Sequence, residues 1–347
     1  MNILEGLVYA TVAVAPTVPV ASFPLPPLEP IRVPSGIYDI ARIDTDPAPG
    51  IYANPRVAGI TFSSAWAVLE PSSGVFRWAA LDARIAAAHA AGKQVMLGAV
   101  PGVQAPAWLY AQGARSLAIT WPYSYNFPTC STVRFPLPWS AVYLQHWTAF
   151  IAAFGTHYAT DSRVVGIKIA GINAQTPEQL LPVATSTGCP APLSVPAAWA
   201  AAGYRPAKLV AAWAAILKAT TAAFPRTALV LQTGNWAFPG IDDAGRPTSP
   251  DFTLAKRLAA QFVAAAGPRA VMENDGLSSF YRWPNPYPVP AGGQAAAPIT
   301  GDASCRMNKF VAPCDPATVL KATLDRAAGL TFVELYPGDL LNPALQP

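Results

Sequence analysis

Charge is the first thing this chain lacks. Asp, Glu, Lys and Arg make up 12% of its 347 residues, and the net charge is +4. No Lys/Arg run gathers that small excess, which argues against a nucleic-acid surface. No apolar stretch reaches the roughly 20 uninterrupted residues that a membrane span needs. Histidine is scarcer still, with three in the chain. His89 lies among alanines, and His146 and His157 share one helical stretch remote from any strand end. A Ser-His-Asp or Cys-His site therefore has no base where it needs one, and a His-based metal site has no ligands. There is no GxSxG, no GxGxxG after a strand and no Walker loop. Neither a metal nor an organic cofactor is implied.

Cysteine is sparse too: Cys130, Cys189, Cys305 and Cys314. None stands in a CxxC, which argues against zinc. An even number in irregular regions favours two disulfides and an oxidising compartment. Cys305 and Cys314 flank a short loop, and Cys130 and Cys189 lie in loops after successive strands. The N-terminal MNILEGLVYATVAVAPTVPVA has the apolar run and small residues of an export signal, but Glu5 stands where a basic residue belongs. It reads as a signal-like segment or an added strand, and a secreted or periplasmic protein is expected.

What is present is alternation. Residues 15–34 are too Pro-rich for a helix and read as an extended arm wrapping the domain. Residues 1–35 are taken as this arm and 36–347 as one α/β domain. Apolar runs predict strands at 36–43, 57–63, 94–100, 165–172, 228–233, 270–274 and 331–336. Amphipathic stretches predict helices at 79–91, 139–158, 206–224, 251–266 and 316–328. The segment between the first two strands, DTDPAPGIYANPR, shows no helical pattern. Strands alternating with crossover helices mean a parallel sheet. Helix-to-strand connections are tight, as in Gly92-Lys93 and Gly329-Leu330, whereas 101–138, 173–205, 234–250 and 275–315 are long. All the long loops leave the carboxyl ends of strands, where barrels and open α/β sheets build their sites. The expected fold is a (β/α)8 TIM barrel, irregular at its first and last units. Seven strands are visible, the eighth coming from 7–15 or 339–345, with a doubly wound open sheet as the alternative.

Glutamate is concentrated on that functional face. Of six in the chain, Glu178, Glu273 and Glu334 stand at or just past strand ends. A carboxylate beside an apolar strand is costly unless paired or hydrogen-bonded, and grouped carboxylates suit glycoside hydrolysis. The same face carries aromatics (Trp66, Trp108, Trp236, Tyr336 among them) that offer flat surfaces to sugar rings. Asn173, Gln232, Asn235, Asn274 and Asp275 offer partners for hydroxyls. Glu70, in LEPSSG, is read as fixing the turn after Trp66.

Residues 59–109 resemble a known group. Trp66, Leu69-Glu70-Pro71, Gly74, Phe76, Trp78, Leu81-Asp82 and Pro106-x-Trp108-Leu109 are similar to the second and third β/α units of retaining glycoside hydrolases. The group is the 4/7 superfamily of (β/α)8 barrels, especially its β-galactosidase-like members. The resemblance implies an acid/base Glu directly after an Asn at the end of strand four and a nucleophilic Glu at the end of strand seven. Asn173 matches that Asn and would hold a sugar hydroxyl, but Ala174 follows it. Glu178 then either reaches back as the acid or leaves the site without one. By strand order the nucleophile is Glu334, or Glu273 if the missing strand precedes Gly36. The expected activity is hydrolysis of an oligo- or polysaccharide, with a non-catalytic carbohydrate-binding barrel or a ligand-free structural domain as alternatives.

Overall fold

A computed structural model describes residues 30–120, 130–183, 195–234, 237–279, 281–282, 284–299 and 315–343. Eight parallel strands close into a barrel: β1 (Gly36–Ile40), β2 (Val57–Ala65), β3 (Gln94–Val100), β4 (Val164–Lys168), β5 (Ala228–Thr233), β6 (Ala270–Leu277), β7 (Ala291–Ala295) and β8 (Phe332–Leu335). Each strand pairs with the next in sequence, and β8 returns to β1. The open sheet is excluded. Helices α1 (Ala79–Ala90), α2 (Ala141–Tyr158), α3 (Pro206–Ala223), α4 (Thr253–Ala266) and α5 (Pro316–Arg326) are the main crossovers. An antiparallel hairpin, Ser116–Thr120 with Thr132–Pro136, fills part of the long segment between β3 and α2. No helix of the described residues is long and apolar enough to cross a membrane.

The sequence reading misplaced one barrel strand and missed the short helices, among them the turn between the first two strands. The eighth strand is neither 7–15, which is outside the described residues, nor 339–345, whose described part begins with the short helix Pro337–Leu340. It is β7, AGGQA, inside what reads as a single loop from 275 to 315. Its two glycines and lack of a β-branched residue hide it, and the reason is packing. A Cβ at Gly292 would overlap the ring of Phe332 on β8, and the space over Gly293 holds Leu330 and Leu277. The neighbours supply the bulk that a strand ordinarily supplies itself. Between β1 and β2, Pro49–Ala53 forms one helical turn, started by its proline and too short to show periodicity.

Two layers fill the barrel. At the amino-terminal end Tyr38, Met96, Val165, Ala228, Val230, Val271 and Phe332 form an apolar cluster, with Ile31 and Val33 of the incoming chain packed on it. Tyr38 and Phe332 meet edge to face, 5.7 Å between ring centroids, a favoured aromatic geometry. Residues 31–35 thus close the bottom of the barrel, whereas the rest of the expected arm lies outside the described residues. Above this layer the inward side chains turn polar. Outside the barrel, α2 stacks Trp147, Phe150 and Phe154 in a ladder facing Trp66.

Gly292→Ala is expected to destabilise the barrel by about 1–3 kcal/mol, the usual cost of overpacking. Phe332→Leu in the same chain should recover part of that loss. Urea unfolding of the single and double variants reads this, and a neutral Gly292→Ala would show that the Phe332 ring does not need the space.

Candidate active site

The polar layer is organised by Lys168, the last residue of β4, whose side chain is 2% exposed. Its Nζ donates to Glu334 Oε2 at 2.7 Å, Glu273 Oε1 at 3.1 Å and Gln232 Oε1 at 3.3 Å. An ammonium has three protons, and here three acceptors from β8, β6 and β5 take them. Thr61 of β2 donates to the other oxygen of Glu334. Burial alone would strip the lysine of its proton, but Glu273 and Glu334 outweigh that and raise its pKa. Glu273 and Glu334 are both fully buried. Burial, then the neighbouring Glu334, pushes the Glu273 carboxyl well above the usual range, against the pull of Lys168. Of the two glutamates, Glu273 is the one whose ionisation the site opposes.

Glu178 arrives from the loop after β4. Asn173 folds that loop: its Oδ1 accepts from the Gly171 amide at 2.7 Å and its Nδ2 donates to Thr176 O. The loop is fastened on two sides. Val103 N donates to Ala174 O at 2.7 Å, and Gln179 N donates to Gln232 O at 3.2 Å. Gly102 makes the first of these contacts possible. Its φ is 65°, and a Cβ there would overlap the Ala174 carbonyl. From the other direction Tyr143 and Trp147 of α2 donate to the carbonyls of Gly171 and Ala170, fixing the exit of β4. The result sets the half-buried Glu178 beside β7, its Oε1 3.4 Å from Gln294 Nε2. Burial raises the Glu178 pKa, with Lys168, Gln294 and Thr176 pulling the other way. Tyr336, just past β8, has its hydroxyl pushed up to about 12 by burial and by the carboxylates of Glu178 and Glu334.

The structure therefore brings Glu178, Glu273, Glu334, Gln232 and Tyr336 to one mouth. It does not present the others as expected. Trp66 is fully buried: its indole N–H goes to Glu70 Oε2 at 2.7 Å and its ring packs on Trp108, Tyr143 and Trp147. It cannot face a sugar. Trp108 donates to Glu70 O at 2.9 Å and packs on Trp66 and His146, so it belongs to the same wall. Glu70 also receives the Gly74 amide, 2.8 Å away, as its turn-fixing reading requires. Asn173 spends both side-chain ends on its own loop, and Asn274 accepts from the Gly276 amide at 2.7 Å within the irregular end of β6. Asn235, Trp236, Cys189, Cys305 and Cys314 lie outside the described residues, and Cys130 takes a left-handed conformation, φ 64°, beside the hairpin. His157 pairs with Asp82 across α1 and α2, 3.0 Å apart.

Strand order also changes both nucleophile assignments. The inserted β7 makes Glu334 a residue of strand eight and leaves Glu273 on strand six. The strand-seven position belongs to Gln294, in register with Glu334. Lys168, Thr61, Gln294 and Asp39 were not anticipated from the sequence. For Lys168 a signal existed: one cation inside the apolar run VVGIKIAGI has to be paired. Gln294 had none.

Residues 53–173 match the family model described as Beta-galactosidase. The match contains every motif residue of the resemblance and ends at Asn173, the residue before the departure. Among solved structures, the catalytic domain of beta-amylase from Paenibacillus polymyxa aligns with TM-score 0.56 at 14% identity, over 90% of this chain and 94% of that one. The beta-galactosidase from the psychrophilic Marinomonas ef1 aligns at 0.42 with 11% identity, over 70% of this chain and 40% of that one. No curated protein matches the sequence. The closed barrel and the match over 53–173 place the chain's likeness in the class of glycoside hydrolase barrels. Within that class it resembles the β-galactosidase-like members from the helical turn before β2 to the end of β4.

Asp39 supplies a pH test. It is fully buried on β1, neither carboxylate oxygen has a hydrogen-bond partner, and burial followed by Glu334 raises its pKa to about 7. Between the ordinary aspartate value and pH 7 the folded protein holds a proton that the unfolded chain has lost. Stability therefore falls as pH rises through that window, by at most about 1.4 kcal/mol per unit from this group. Asp39→Asn should flatten this slope and gain stability over the parent at pH 7 in urea titrations run from pH 4 to 8. An unchanged slope would show that Asp39 is ionised in the fold.

Proposed function

We propose that the protein cleaves an oligo- or polysaccharide with retention at the anomeric carbon, using Glu334 as nucleophile and Glu178 as acid/base. One observation carries this reading: the loop after β4 brings a partly exposed carboxyl of raised pKa to the mouth in which Lys168 and Thr61 hold Glu334. Two carboxyl groups with different environments are what acid and nucleophile roles require. Glu334 would attack the anomeric carbon as Glu178 gives its proton to the departing oxygen, leaving a glycosyl ester on Glu334. Glu178, now ionised, would take a proton from water as that water attacks the same carbon, and the ester bond would break to restore Glu334. Glu273, fully buried and with its pKa raised, serves as a hydrogen-bonded neighbour. Gln232 stays inside the network, and Tyr336 is the described aromatic best placed to meet the sugar. The even number of cysteines and the apolar N-terminal run support export to an oxidising compartment.

Ala174 and Gln294 occupy the two positions where the resemblance expects glutamate, which favours a second reading, a barrel that binds carbohydrate without cleaving it. Turnover of a panel of aryl glycosides separates the two. Under the hydrolase reading Glu334→Gln loses essentially all activity, and Glu178→Gln loses about 10²–10⁴-fold on poor leaving groups but much less on dinitrophenyl glycosides. Glu178 must be protonated to act, so kcat/KM should fall as pH rises through its raised pKa. That alkaline limb should vanish in Glu178→Gln. Glycan binding with no turnover, or unchanged rates in both variants, would overturn the assignment.

Gly102→Ala tests how the acid is delivered. The φ of 65° and the Ala174 carbonyl leave no room for the methyl group, so the loop must shift. Activity should drop at least tenfold while thermal stability falls by a few degrees. Full activity would detach Gly102 from the placement of Glu178.

A further inference from the structure

Gln294 stands at the strand-seven position but holds no carboxylate, and its amide is built into a chain of hydrogen bonds. Gln232 Nε2 donates to Gln294 Oε1, and Gln294 Nε2 faces Glu178 Oε1. Gln294 is 8% exposed and Gln232 1%. The direction of this chain is set at its far end. Lys168 can only donate, so Gln232 must turn its oxygen toward the ammonium. That leaves the Gln232 NH2 group for Gln294, which must then offer its own oxygen to Gln232 and its NH2 group to Glu178. The lysine charge thus orients two neutral amides in succession, and the last of them presents a donor to a carboxyl.

Resting on the reading of Glu178 as the acid/base, we propose that Gln294 is a positioning residue for that carboxyl, its amide oriented from Lys168 through Gln232. A donor aimed at Glu178 favours the ionised form that exists after the proton has left and before water returns one. It also holds the carboxyl beside β7 in a loop that lacks the usual direct attachment of the acid to Asn173. The same amide would do neither if reversed, because its oxygen would then repel the carboxylate. Gln232 therefore shares the task without touching Glu178.

The test uses the intact protein labelled with δ-carboxyl-13C glutamate, in which the Glu178 signal, one of six, is identified by its loss in Glu178→Gln. In Gln294→Leu the Glu178 titration should move to higher pH by about one unit, as expected for a carboxylate losing a hydrogen bond. The alkaline limb of kcat/KM should move with it. Gln232→Leu should shift both in the same direction by less. Gln294→Met, closer to glutamine in shape, repeats the measurement if the leucine variant does not fold. A Glu178 titration unchanged in a folded Gln294 variant overturns the proposal, whatever the activity. A shifted titration in a protein that turns over no glycoside supports the positioning role and removes the hydrolase reading instead.

Discussion

One buried ammonium sets the terms for this barrel mouth. A lysine taken out of water keeps its charge only where opposite charge and acceptors replace the lost hydration. Lys168 meets this with Glu334, Glu273 and Gln232, each on a different strand. The constraint propagates outward. Burial and the nearby Glu334 both oppose ionisation of Glu273, the pattern of like charges sharing a site. The lysine also fixes which way the glutamine amides point. Removing Lys168 would leave two buried carboxyl groups crowded together without a cation, so the cluster depends on it.

The loop from Asn173 to Gln179 solves a different problem. In the glycoside hydrolases that this chain resembles, the acid follows the strand-four asparagine directly. Here that next position is alanine, its amide and carbonyl bonded to Leu180 and Val103. Asn173 has become the organiser of a turn, and the turn carries a carboxyl back over the barrel five residues later. Tyr143, Trp147 and Gly102 support it from α2 and from the exit of β3. The aromatic wall of Trp66 and Trp108 has a matching role: it anchors Glu70 and packs α2, which in turn holds the end of β4. Residues that look like a sugar platform in the sequence are the scaffold on which the Glu178 loop is mounted.

The two-layered interior connects fold and site. Bulky rings at the amino-terminal end, Tyr38 and Phe332, fill the barrel so that its bottom is apolar and closed. Polar groups are then confined to the upper layer, where a low local dielectric strengthens their interactions. Gly292 is part of that arrangement, since its missing side chain is the space Phe332 occupies. The same absence that completes the packing makes β7 unreadable as a strand.

Much was decided by the sequence alone. Apolar runs and helical periodicity located seven strands and five helices to within four residues at each end, because burial on both faces of a parallel strand leaves a continuous hydrophobic signature. The scarcity of histidine and the placement of three glutamates pointed to carboxylate chemistry, and all three do converge. Only the tertiary structure decided the rest. The eighth strand takes its bulk from Phe332, Leu330 and Leu277 on neighbouring segments, so no local pattern marks it, and one missed strand moves Glu334 from seven to eight. Exposure is likewise a tertiary property: Trp66 and Tyr336 are both aromatics near a strand end, yet one is sealed against α2 and the other borders the carboxylates. The pairing of Lys168 with groups 64, 105 and 166 residues away exists only because barrel closure brings β4, β5, β6 and β8 around one axis.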